Sequence, residues 1–194
     1  MAKKKVKKKT LKKHYHDVLD TLHLSRKCIY FAIILFAAFT LIGFIFPIFF
    51  VEQIIKMLGQ LALEFEGLTV LQAALKIFFN NTLVSFLAIF LGLLIGLFPL
   101  MATIQNGYIL GFVARFVVMG EGPWALWRIL PHGIFELPAI FIAIGLGLKL
   151  GEKVLTRKKP VKFLVAALKV FLLVIVPLLV IAAIIEGLLI GLGV

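Results

Sequence analysis

The chain has 194 residues, 62% of them hydrophobic, with a formal net charge of +12 and a mean hydropathy of +1.13. A soluble domain is nearer half apolar. This composition therefore excludes a soluble globular enzyme and predicts a polytopic α-helical membrane protein. The charge is unevenly placed, with ten of the 21 Lys and Arg residues in residues 1–27. Beside a membrane helix, such a tail meets anionic lipid and holds the cytoplasmic face, so nucleic acid is not an expected partner. The single cysteine, Cys28, allows no internal disulfide and no paired-cysteine metal motif.

Residues 1–13 carry eight lysines and are predicted to be a solvated, disordered tail. In residues 14–27 the apolar positions Val18, Leu19 and Leu22 recur at steps of three and four. That spacing predicts a short amphipathic helix on the inner membrane surface. We therefore divide the chain into a basic cytoplasmic part, 1–27, and a single transmembrane domain, 28–194. Residues 28–51 hold no charge and predict the first span, with Pro47 near its end. In residues 52–66 the polar positions Glu52, Lys56, Gln60 and Glu64 recur every four residues. A single polar stripe fits a helix lying in the outer interface or one packed on the other spans.

Residues 68–98 form a long apolar stretch containing Asn80, Asn81 and Ser85, and Pro99 is read as a turn. Residues 100–119 carry Asn106, Gly107 and Arg115. No Lys or Arg lies between Lys76 and Arg115, which predicts a tight hairpin that is either spanning or re-entrant. Trp124 and Trp127 belong at the headgroup level of a loop over 120–128. Residues 129–150 predict a further span, 151–162 a basic loop, and 163–190 the last span.

The tail and the 151–162 loop are basic, so both are expected in the cytoplasm, and residues 52–66 outside. That requires an even number of crossings between residues 28 and 150. The predicted fold is an all-α bundle of about five spans in the cell membrane, amino terminus inside. Gly92/Gly96, Gly107/Gly111, Gly147/Gly151 and Gly187/Gly191 form four small-residue steps that permit close helix approach. They are expected to serve internal packing or the face of a homo-oligomer.

The run Pro131-His132-Gly133-Ile134-Phe135-Glu136-Leu137-Pro138-Ala139 organises the chain. It sets an imidazole and a carboxylate four residues apart on one helix face, with Pro138 expected to kink the helix near Ile134. Ionisable groups in lipid are expensive and need a partner or a cavity. At about 1.5 Å per residue, Arg115 lies about 8 Å deep and His132 and Glu136 about 6 and 12 Å deep. Glu186 falls in the same outer slab, with Asn80 and Asn81 near its floor. An Arg115–Glu136 ion pair is therefore expected. The polar set Asn80, Asn81, Asn106, Arg115, His132, Glu136 and Glu186 admits three uses: a polar knot, a cavity for a headgroup or solute, or catalysis. Catalysis is disfavoured. His132 and Glu136 supply two metal ligands where a catalytic zinc takes three, and Ser85 has no evident base. No metal, nucleotide or other cofactor is expected.

Asn80-Asn81, Gly92 and Gly96, Asn106-Gly107 with Gly111, the 131–139 run, Gly145, Gly147 and Gly151, and the late acid Glu186 together resemble the stage II sporulation protein M family. The resemblance covers roughly residues 30–190. It implies an integral membrane architecture and a scaffold role, since the family's namesake works beside membrane partners that carry the hydrolysis of septal peptidoglycan. The expected function is a non-enzymatic membrane scaffold that organises membrane or envelope proteins. The alternative is a small transporter, channel or lipid translocator with an outward-facing polar site.

Overall fold

The computed structural model describes the backbone of residues 2–128 and 130–191 and the side chains of residues 15–126 and 133–189. Among these, seven α-helices follow in order: α1 (Ala2–Ile45), α2 (Val51–Phe65), α3 (Val70–Phe90), α4 (Leu97–Glu121), α5 (Leu130–Leu155), α6 (Pro160–Val170) and α7 (Val176–Gly191). Short 3₁₀ turns cover Leu91–Leu93 and Pro123–Arg128. Five stretches are long and apolar enough to cross a bilayer: Tyr15–Ile45, Val70–Leu93, Leu97–Glu121, Gly133–Leu155 and Pro160–Leu189. The fold is the all-α polytopic bundle that the composition predicts.

Local chemistry sets the element ends. α3 starts at a capping box: the Thr69 hydroxyl accepts from the Gln72 N–H, and the Gln72 side chain accepts from the Thr69 N–H at 2.9 Å. α4 starts after Ile95 and Gly96, both left-handed at φ 49° and 77°. The turn thus lies at 94–96, not at Pro99 as expected. Pro99 sits in the first helical turn, where its missing N–H would have had no partner. Asn106 and Gly107 stay helical within the 25-residue α4, so the hairpin is two full-length helices and not a re-entrant pair. α5 continues through Pro138. Before Pro177 the last span widens into a π-turn, Phe171–Ile175. Proline cannot donate to residue 173 and its ring crowds that carbonyl, so a wider turn relieves both problems.

Two expectations for the amino-terminal part change. α1 runs unbroken from Ala2, and the side chains of residues 1–14 lie outside the described set. Nor does the 15–27 segment lie flat on a membrane. Its Val18, Thr21 and Ser25 are buried in the bundle, and Asp17 pairs with Lys169 at 2.8 Å. No glycine or proline interrupts residues 15–42, so the amphipathic stripe extends the span itself and packs on α6.

α5 is the central helix. It touches α1, α3, α4, α6 and α7. The core gathers around it, with Ala139, Ala143, Leu146 and Leu150 fully enclosed. Glycine makes this possible. A Cβ on Gly145 would strike Ile29, and one on Gly147 would strike the Ala88 carbonyl and stand 3.1 Å from Pro99 Cγ. A Cβ on Gly151 would meet the backbone of Gly96, and one on Gly92 the backbone of Gly147. Across the bundle, Gly107 and Gly111 admit the α1 backbone at Phe36 and Thr40, and Gly43 admits that of Tyr108. A Cβ on Gly187 would stand 3.3 Å from that of Ala74. The expected faces Gly92/Gly96, Gly107/Gly111 and Gly147/Gly151, with Gly187, are therefore used inside the chain and carry no argument for a second copy. The packing of Gly191 lies outside the described residues.

Two glycine substitutions should act in opposite directions. Gly147→Leu forces a side chain into backbone and should cost about 1–3 kcal/mol in detergent unfolding. Gly59 lies within α2 with nothing within 4 Å of a Cβ. There Gly59→Ala should stabilise by about 0.5–1 kcal/mol through reduced chain entropy.

Candidate functional site: a polar cavity beneath α2

α2 covers one edge of the bundle. Only Ile54 among its residues is buried, where it meets Tyr108 and Phe112 of α4. Ile55, Leu61 and Leu63 remain exposed, which suits the interfacial helix of the two expected arrangements. At its start the chain turns a corner through Phe50, left-handed at φ 57°. The Tyr108 hydroxyl holds this corner. It accepts from the Phe49 N–H at 2.9 Å and faces the Phe46 and Phe49 carbonyls at 3.0 and 3.2 Å. These are backbone groups that the helix end leaves without partners.

The other end of α2 is tied to α3 by Lys76. Its ammonium donates to Glu64 Oε2 at 2.8 Å and to the Glu64 carbonyl at 3.1 Å. It also stands 5.0 Å from the centre of the Phe65 ring. A cation on the last carbonyls of a helix completes open hydrogen bonds and complements the helix dipole. With both partners partly exposed, the ion pair itself contributes only about 0–1 kcal/mol. Its main effect is to position the end of α2.

Beneath that end lies a cavity of about 370 Å³. Its polar lining is Glu64, Lys76, Asn80, Asn81, Glu136 and Glu186, completed by Leu61, Phe65 and Ile77. Four helices contribute: α2, α3, α5 and α7. Asn80, Asn81, Glu136 and Glu186 of the expected polar set thus meet in one place. Asn80 Nδ2 and Asn81 Oδ1 are 3.5 Å apart, at the limit of a hydrogen bond. Deeper on α3, Thr82 Oγ1 and Ser85 Oγ are buried without a hydrogen-bond partner. Ser85, the membrane serine considered as a nucleophile, is 1% exposed.

Two members of the expected set are elsewhere. The Arg115 guanidinium stands 5.6 Å from the Phe44 ring centre, a cation–π arrangement on the α1–α4 side. Among the described residues Arg115 and Glu136 do not form the expected ion pair. Arg115 sits where α4 packs on α1, and α4 contributes no residue to this cavity. Asn106 is exposed and donates to the Ala102 carbonyl of its own helix at 2.8 Å. The His132 side chain lies outside the described residues. Lys76, Glu64 and Tyr108 were not anticipated as site-forming. The Thr69–Gln72 capping signal would have placed Lys76 on the second turn of α3, within reach of the preceding helix.

The matched sequence is consistent with this geometry. A family model described as stage II sporulation protein M matches residues 32–189. The chain belongs to the stage II sporulation protein M family. No curated protein and no solved structure matches it. In this member of the stage II sporulation protein M family, the match runs from within α1 into α7 and contains every residue of the polar cavity.

Lys76→Met should release the last turn of α2 while leaving the bundle intact. Hydrogen exchange over residues 61–66 should quicken, with α5 amides unchanged. Equal protection in the variant would show that Lys76 does not hold this end.

Proposed function

We propose that this multi-pass membrane protein is a non-enzymatic scaffold that receives a polar group of a membrane or envelope partner in the cavity beneath α2. The observation that carries the reading is the convergence of Asn80, Asn81, Glu136 and Glu186, from three spans, on one recess in an otherwise apolar bundle. Polar groups at such depth are expensive in lipid, and a recess gives them a use that a sealed knot would not. The glycine contacts favour a fixed frame, which suits holding more than moving. The rim at Lys76 and Glu64 adds hydrogen-bonding groups of both charges for a peptide segment.

The test places a photo-crosslinking residue at Asn81 in cells. A single protein adduct, lost on combining Glu136→Gln with Glu186→Gln while the melting temperature holds, is the expected outcome. No adduct, or a hydrolytic activity of purified protein that needs Glu136, would overturn the proposal. A second reading draws on the size of the recess, within the range of about 300–1,000 Å³ typical of small-molecule sites. It makes the chain a small transporter, channel or lipid translocator, and flux or scrambling in liposomes above empty vesicles would favour it.

The proposed orientation sets the amino terminus and the 156–159 turn in the cytoplasm. The charge bias of short loops supports it, and the Asp17–Lys169 pair links the basic amino-terminal part to the helix after that turn. After Cys28 is replaced, a cysteine at Lys158 should resist an impermeant reagent added to intact cells, and one at Trp124, 87% exposed, should react. The reverse pattern would invert the topology.

A further inference from the structure

The outward strip of α4 carries two amides that no contact within the chain accounts for. Gln105 and Asn106 are both exposed. They stand eight and nine residues after Leu97 in the 25-residue α4, about 12–14 Å along an axis of about 37 Å. The hydrocarbon of a bilayer is about 30 Å thick, so both amides lie within it for any placement in which this helix crosses. At about 3.6 residues per turn they flank a strip made of Ala102, Ile109 and Val113. Gln105 also borders an apolar recess of about 500 Å³ between α1, α2 and α4, and shares its lining with Gln53 of α2.

Gln53 and Gln105 have no hydrogen-bond partner among the described residues. Asn106 donates to the Ala102 carbonyl, which leaves its Oδ1 open. An amide in hydrocarbon without a partner is expensive, and amides that reach across to another helix join spans. These groups decide what covers the face, because a lipid tail offers an amide nothing. The occupant must present hydrogen-bonding groups at the depth of Gln105. A second copy of this chain does so without further condition. Copies inserted with the same topology are related by rotation about the membrane normal, so each residue meets its own depth in the partner. An amide both donates and accepts, so paired Gln105 side chains are complementary to each other across a two-fold axis.

We propose that this face seats a second copy of the chain in a parallel two-fold dimer, with the Gln105 amides of the two copies hydrogen-bonded at the centre. Phe50 and Met101, exposed on the rim of the recess, are the apolar side chains with which each copy closes the recess of the other. Interiors are close-packed, and the dimer fills a space that the single chain leaves open. This face is separate from the glycine contacts, which are spent within the chain. The proposal is independent of what the polar cavity receives.

The test uses full-length protein carrying Cys28→Ser, in vesicles of phosphatidylcholine and phosphatidylglycerol. Energy transfer between differently labelled copies should persist as lipid is added, and single-molecule bleaching should count two chains. Gln105→Leu combined with Gln53→Leu should lower the transfer severalfold at a fixed ratio of protein to lipid. Both side chains are exposed, so the melting temperature of this variant in detergent should hold. A second measurement needs no loss of association. Under copper phenanthroline, Gln105→Cys should form a disulfide between copies severalfold faster than Leu172→Cys, at an exposed position on the last span. Single chains at every dilution, meaning that lipid or another protein covers the face, would overturn the proposal. So would a dimer that the paired Leu changes leave as strong as before, or cross-linking no faster at 105 than at 172.

Discussion

The structure depends on backbone-to-backbone contact at glycine. Helices in lipid gain little from burying apolar surface against each other, since the surrounding tails are equally apolar. Association must come from close packing, and close packing needs surfaces without side chains. α5 meets this need with Gly145, Gly147 and Gly151, facing α1, α3 and the 94–96 turn. α4 does the same toward α1 with Gly107 and Gly111. The bundle is two pairs of spans, α1 with α4 and α3 with α6–α7, held against one small-faced helix.

That frame explains where the polar groups go. α5 is small on the faces that pack, so Glu136 emerges toward the gap between α3 and α7, near the amino-terminal end of α5 where α2 crosses. Glu186 and the two asparagines reach the same gap from their own helices. The recess exists because a polar lining cannot close on itself as aliphatic side chains do. α2 completes it, held by a lysine at one end and a tyrosine at the other, with little burial of its own. An element so lightly buried is drawn from the low-stability end of the structure, and it borders the polar cavity.

Arg115 illustrates the boundary of reasoning from depth. Helix rise gives an expected position along the membrane normal, and on it rested the expected Arg115–Glu136 pair. Azimuth depends on which helices are neighbours, and that is a property of packing. Arg115 faces α1 and rests on Phe44, where an aromatic face lowers the penalty of a cation in lipid. The glycine steps show the same division. Their spacing announced close contact, but the identity of the partner, this chain or another, was invisible until Ala88, Thr40 and Ile29 stood opposite them. The 15–27 segment was misread because an amphipathic stripe looks the same whether its apolar face meets lipid or a neighbouring helix.

By itself, the sequence determined the class, the all-α fold, the spans, the family and four of the six polar residues that line the polar cavity. These follow from hydropathy, charge bias and short motifs, which act within about twenty residues of chain. Only the tertiary structure decided that the hairpin is two full helices, that α1 is unbroken, and that the glycines meet one another. It alone excluded Arg115 from the cavity and brought in Glu64 and Lys76. Those outcomes depend on contacts between helices distant in sequence, where the close fit of backbone against backbone selects the neighbours and no local pattern records the choice.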